Sequence, residues 1–79
     1  MNNKKKYDNV FIENFSVSKD DLKDDIEYNS IAKWDSLGHM AFIANIEEIF
    51  DIMMDMNDII DFSSYSKGFK ILTKYGIEF

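Results

Sequence analysis

The sequence has no cysteine, no proline, three glycines and one histidine in 79 residues. Without cysteine there is no disulfide to staple so short a chain and no thiolate to serve as nucleophile or zinc ligand. A lone histidine with no cysteine beside it leaves a metal site without partners, and no resident metal is expected. The lack of proline and scarcity of glycine argue against a loop-rich or turn-repeat architecture. Basic residues are also few, nine against fifteen acids, for a net charge of -6 and a pI near 4.5. Such a surface repels phosphate backbones, so nucleic acid is excluded as an expected partner, whereas partners with basic patches fit. No apolar run approaches the roughly 18 residues of a membrane helix. The polar, basic start Met1 to Lys6 is followed by no apolar segment, so no secretory signal is expected. Together these absences predict a cytoplasmic protein without membrane insertion, too small and too poor in reactive groups to be an enzyme in its own right.

What is present suffices for a core. Hydrophobic residues make up 46% and aromatics 15%, which separates the chain from disordered acidic tails. Its length allows one domain, residues 1–79, with a thin core. Lys4, Lys5 and Lys6 read as a solvated helix start within the basic segment 1–6. Beyond them, residues 7–79 hold six lysines and fifteen acids, a net of -9.

Tyr7, Val10, Phe11 and Phe15 recur at helical spacing and predict a first helix over Asn3 to Phe15. Residues 16–35 show no clear period. This long loop is acidic at Asp20, Asp21, Asp24, Asp25 and Glu27, with a short turn expected near Lys19 to Lys23. Val17, Leu22, Ile26, Ile31 and Trp34 are expected to pin it to the helices. Asp35 and Ser36 are good helix starters and open a second helix over Ser36 to Phe50. On a helical wheel, Phe42, Ile43, Ile46, Ile49, Phe50 and Met53 form its core stripe. Leu37, Met40, Ala44, Glu47, Glu48 and Asp51 lie opposite. A short third helix is predicted over Met56 to Asp61. A final one starts at Ser63 or Ser64, carries Tyr65, Phe69, Leu72 and Tyr75, and stops at Gly76. The class is all-α, a bundle of four helices with a long first loop and a short third helix.

Three constellations invite chemistry. Trp34-Asp35-Ser36-Leu37-Gly38 approximates a nucleophile elbow with its first glycine missing, but that elbow belongs on a strand-to-helix turn of a large sheet, which this chain cannot build. Asp35 adjoins the serine and is badly placed to orient an imidazole, so a small hydrolase is the distant reading. His39 is expected to be a packed or half-exposed helix residue. The acids from Asp20 to Glu27 lack the spacing and glycine of a calcium loop and read as a solvated face. Ser36 has a more physical use: a phosphate esterified to it would lie at a helix N-terminus, where N–H groups and the dipole favour an anion. The apolar Leu37, Met40 and Ala44 beside it mark a protein-docking face; the alternative is that this face packs on the long loop.

Trp34-Asp35-Ser36-Leu37-Gly38-His39-Met40, followed by Ile46-Glu47-Glu48-Ile49-Phe50, resembles the acyl carrier protein family over nearly the whole chain, from about Tyr7 to Tyr75. The resemblance implies a four-helix bundle of acyl-carrier type. It implies 4'-phosphopantetheine on Ser36, installed from coenzyme A by a magnesium-dependent phosphopantetheinyl transferase. The arm would supply the thiol that the chain lacks and hold acyl cargo as a thioester between visits to acyl-loading and acyl-processing enzymes. The same resemblance implies that the second helix is the recognition helix. Asp35, Leu37, Met40, Ala44, Glu47 and Glu48 would occupy its docking face, presented by a monomer to basic partner patches. An aminoacyl or peptidyl carrier and an unmodified interaction module are the alternatives. Gly38 and Ala41 stand where housekeeping fatty-acid carriers have acids, which favours a dedicated carrier of a specialised pathway. Gly68 stands where a larger residue is common, and either leaves room for cargo or loosens the packing.

Overall fold

In a computed structural model, which describes residues 2–79, the chain folds into four α-helices joined by a long, partly structured loop. Met1 of the basic start lies outside the described residues. The helices are α1, Asn3–Phe15; α2, Ser36–Phe50; α3, Met56–Asp61; and α4, Tyr65–Thr73, with a short 3-10 turn over Asp21–Asp24 between α1 and α2. Some 60% of the chain is helical, without a strand among the described residues. Each long helix starts on a side-chain cap. The Asn2 side chain accepts from the Lys5 N–H, Asp35 from Gly38 and Ser64 from Lys67, which satisfies N–H groups that have no partner within the helix. α1 and α2 end on Ser16 and Asp51 in the left-handed region, at φ of 55° and 54°.

The core is largely aromatic. Tyr7, Phe11 and Phe15 from α1 meet Trp34 from the loop, Phe42 from α2 and Phe62 from the α3–α4 link, all buried. Phe11 packs edge-on against Trp34 and Phe42 at 5.5 and 4.7 Å between centroids. Phe15 stacks on Trp34 at 4.8 Å. Edge-to-face pairs place the positive ring edge on a negative face and add attraction beyond the area they bury. The expected pinning of the loop is seen at Leu22 and Trp34, which are buried. Val17, Ile26 and Ile31 are half-buried against the core.

Polar bonds close the bundle where apolar packing ends. The Tyr7 hydroxyl donates to the Tyr65 carbonyl at 2.6 Å, and the Tyr65 hydroxyl donates to the buried Asp8 carboxylate at 2.5 Å. Burial, and then the hydrogen bond to Asp8, push the Tyr65 hydroxyl up to about 12, so it stays a donor. The loop is laced to the α3–α4 link by a short antiparallel bridge of Glu27 with Ser64. Tyr28 N–H donates to the Ser63 carbonyl and Tyr65 N–H to the Ile26 carbonyl. Asp25 accepts both the N–H and the hydroxyl of Ser66.

Expectations change at five residues. Ile49 is 42% exposed and Met53 is 87% exposed, so neither belongs to the core. Asp51 breaks the helix before Met53, and Ile49 stands at the margin of the stripe in the last turn. Phe50 is only half-buried. Tyr75 lies beyond α4, whose last helical residue is Thr73. The chain turns through Gly76 at φ 85°, from which the Ile77 N–H reaches back to the Leu72 carbonyl, the arrangement a glycine stop provides. Gly68 leaves no room for cargo: a Cβ there would collide with the Tyr7 hydroxyl and the Phe62 ring.

These burials predict a sharp contrast within one helix. Phe42→Ala removes a fully buried ring and should cost about 3–5 kcal/mol. Ile49→Ala should cost less than about 1 kcal/mol. Urea unfolding followed by circular dichroism checks both; equal losses would contradict the assigned stripe.

Candidate functional site

The segment Trp34 to His39 sets the start of α2 by burying its two ends and exposing its middle. Trp34 and His39 are buried, whereas Ser36 is exposed and Leu37 is 84% exposed. The Trp34 Nε1–H donates to His39 Nδ1 at 2.9 Å, and His39 Nε2 lies 2.8 Å from the Ile59 carbonyl oxygen. An indole nitrogen only donates and a carbonyl only accepts, so Nδ1 is bare and Nε2 carries the proton. His39 is therefore a neutral bridge from the loop through α2 to α3. Its two nitrogens are both engaged, which fits the packed helix residue expected and leaves none aimed at Ser36.

Asp35, in extended backbone at φ -107° and ψ -168°, caps α2 through Gly38 N–H at 2.8 Å. Gly38 is required by crowding: any Cβ there would collide with the Lys33 carbonyl oxygen. The glycine thus follows from how tightly the loop turns into the helix. The first turn also presents the N–H groups of Ser36 and Leu37, which have no partner within the helix.

Beside Ser36 opens a cleft of about 380 Å³ between α2, α3 and the loop. Its lining includes Tyr28, His39, Met40, Met56, Ile59 and Ile60, with Phe62 and Ser63 at the α3–α4 link. The Tyr28 hydroxyl donates to Ser36 Oγ at 3.4 Å, and its ring stands edge-on to His39 at 5.5 Å. Around the cleft lies exposed apolar surface: Leu37 and Met40 on α2, Met56 and Ile60 on α3, and Met53 between them.

The docking residues expected on α2 divide. Leu37, Met40, Ala44 and Glu48 are exposed along one helix, so this face does not pack on the long loop. Asp35 is exposed, with one carboxylate oxygen used as the cap. Glu47 is half-buried and accepts the Met54 N–H at 2.8 Å, bracing the turn between α2 and α3. Sequence reasoning missed Tyr28 and the α3 side of the cleft. An apolar pattern on both sides of so short a helix (Met56, Ile59, Ile60) was the available signal for α3. Nothing local marks Tyr28, which reaches Ser36 through the folded loop.

α3 is held at its far side by Asp58. Its carboxylate accepts from Lys74 Nζ at 2.5 Å and from the Tyr75 hydroxyl at 2.6 Å, and the same hydroxyl accepts the Asp55 N–H at 2.8 Å. The Lys74 ammonium first, and the Tyr75 hydroxyl second, hold the Asp58 carboxyl below its ordinary 3.8. Comparison of the chain with protein-family models, curated proteins and solved structures returned no match.

The lowered Asp58 carboxyl makes the hold on α3 pH-dependent. A depressed carboxylate adds stability above its unfolded value, and that stability is lost as the pH falls through the folded value. Asp58→Asn should therefore lower the melting temperature at neutral pH. Its gap from wild type should close as the pH drops below 3.8. Thermal melts across the acid range check this; a gap unchanged at low pH would assign the loss to packing.

Proposed function

We propose that the chain is an acyl carrier protein, a bundle of acyl-carrier type that bears 4'-phosphopantetheine on Ser36 and shuttles acyl cargo in the cytoplasm as a monomer. The observation that carries the reading is an exposed serine hydroxyl at the first position of a capped helix, directly beside an apolar cleft of about 380 Å³. The residues fit the group. Ser36 Oγ faces solvent, where a phosphopantetheinyl transferase can reach it, and the unpartnered N–H groups of the first turn favour a phosphodiester there. Met40, Met56, Ile59 and Ile60 offer apolar surface to whatever hangs from it. When attached, the arm supplies a thiol that holds cargo as a thioester, chemistry that no side chain of a cysteine-free chain can perform.

The chain's own residues position and present. Trp34 and His39 hold Ser36 outward, Asp35 caps the helix that carries it, and Gly38 lets the loop come close. Among the described residues, the side-chain group on Ser36 Oγ is the Tyr28 hydroxyl, which donates to it and is not placed to take its proton. That supports a tether activated by a separate enzyme over a self-contained hydrolase. Leu37, Met40, Ala44 and Glu48 then form the surface for partner enzymes, an apolar stripe with acid at its end. Glu48 would steer basic patches, affecting on-rate more than affinity. A dedicated carrier of a specialised pathway suits a recognition helix with so little acid at its start.

Two outcomes test this. Incubation with coenzyme A, magnesium and a broad-specificity transferase should add one phosphopantetheine to the intact mass of the wild type and none to Ser36→Ala. An unmodified wild type would leave a docking module that is never loaded. Met40→Lys and Glu48→Lys should each lower the rate of transferase or acyl-loading turnover severalfold while leaving the helical circular dichroism intact, because both side chains are exposed. Loss of helical signal would show instead that the face supports the fold.

A further inference from the structure

We propose that Tyr28 is the positioning residue of the loaded carrier: its hydroxyl donates to the phosphodiester on Ser36 and directs the arm across the mouth of the α2–α3 cleft. The proposal rests on the reading of Ser36 as the attachment site. It goes beyond it by assigning a loop residue outside the attachment motif, eight residues before Ser36, to the group that Ser36 would carry.

Tyr28 is held as a fixed part of the cleft rather than as a loose surface ring. Its N–H donates to the Ser63 carbonyl at 2.8 Å. The residue before it, Glu27, is bridged to Ser64. Its ring stands edge-on to both Trp34 and His39, at 6.5 and 5.5 Å, with interplanar angles of 84° and 81°. With backbone and ring so placed, a 37% exposed tyrosine presents its hydroxyl at the cleft mouth.

That hydroxyl is poorly served there. It lies 3.4 Å from Ser36 Oγ, longer than the roughly 2.5–3.0 Å of a good O–H···O bond. Esterification of Ser36 puts anionic oxygens next to this donor, and bonds from a hydroxyl to an anion are shorter and about twice as strong as those between neutral groups. The N–H groups of Ser36 and Leu37 would bind the same phosphodiester, and Tyr28 adds a side-chain donor to them; of the neighbouring side chains, two are committed elsewhere. Both His39 nitrogens are engaged with Trp34 and Ile59, and Asp35 uses Oδ1 to cap Gly38. Tyr28 also lines the cleft together with Met40, Met56 and Ile60. A phosphodiester bonded to it would start the arm over apolar surface instead of in open water.

The test uses the full chain as wild type and as Tyr28→Phe, which keeps the ring and removes the hydroxyl. Both are incubated with coenzyme A, magnesium and a broad-specificity transferase, and loading is read by intact mass. The wild-type phosphodiester should give a 31P resonance displaced from its position in urea-unfolded loaded protein, and Tyr28→Phe should move it back toward that position. The arm's thiol should also react with an aromatic disulfide reagent roughly three- to tenfold faster in Tyr28→Phe, the range expected for losing one net hydrogen bond of ordinary strength. A wild-type resonance already at the unfolded position overturns the proposal without recourse to the variant. So do equal resonances and equal thiol rates in the two loaded proteins, and in that case the carrier reading stands. Absence of an adduct on the wild type removes both.

Discussion

A buried indole N–H that must find an acceptor organises this molecule. Trp34 is fully buried at the centre of the aromatic core, and its Nε1–H can only donate. Left unmet, it would cost about 1–3 kcal/mol, a large fraction of the stability of so short a chain. The acceptor is His39 Nδ1, which forces the imidazole's proton onto Nε2 and from there to the Ile59 carbonyl. One requirement thus joins the end of the loop, the first turns of α2 and the middle of α3. It also fixes which residues between Trp34 and His39 face outward, and Ser36 and Leu37 are exposed for that reason. The cleft beside Ser36 exists because α2 and α3 are tied at this depth by a polar bridge and not packed flush along their lengths.

The acidity of the chain is partly internal. Asp8 takes Lys4 and the Tyr65 hydroxyl, Asp25 takes Ser66, Asp35 caps α2, Glu47 braces the Met54 N–H, and Asp58 anchors α3. These carboxylates close helix ends and loop crossings, so the charge free to meet a partner is smaller than the net of -6 suggests. On α2 it reduces to Glu48 and the uncommitted oxygens of Asp35 and half-buried Glu47. A partner reading this helix would meet Leu37 and Met40 first, and selectivity among partners would rest on shape and apolar fit as much as on charge.

The helices were legible because their ends carry local chemistry. Asn2, Asp35 and Ser64 each offer a short polar side chain to an N–H three residues on, and apolar spacing between such points is enough to place α1, α2 and the start of α4. The loop was legible only as apolar residues seeking the core. Its bridge to the α3–α4 link joins Glu27 to Ser64, and no local pattern announces a pairing across that separation. Of the site, Ser36 was legible from its motif and the exposed Leu37 and Met40 from the wheel. Glu47 was misread as wholly outward because the wheel knows nothing of the turn after α2, where the Met54 N–H needs an acceptor. Ile49 and Met53 were misread because periodicity extends past a helix end that Asp51 had closed. Tyr28 was invisible because its contact with Ser36 belongs to the folded loop, and the far wall of the cleft was signalled only by the apolar pattern of α3.

That far wall has a distinctive mechanical status. A helix of six residues is not stable by itself, and Met56 and Ile60 stay exposed on it, so α3 gains little from burying its own side chains. Its hold comes from a few polar bonds: His39 on the Ile59 carbonyl at one side, Lys74 and Tyr75 on Asp58 at the other. The floor of the cleft, by contrast, is built from the aromatic core through Phe62 and Phe42, which pack edge-on at 5.2 Å. Local opening has a low free energy where buried apolar contacts are few. The cleft therefore has a densely packed floor and a lightly held wall, and α3 is the element whose local opening costs least.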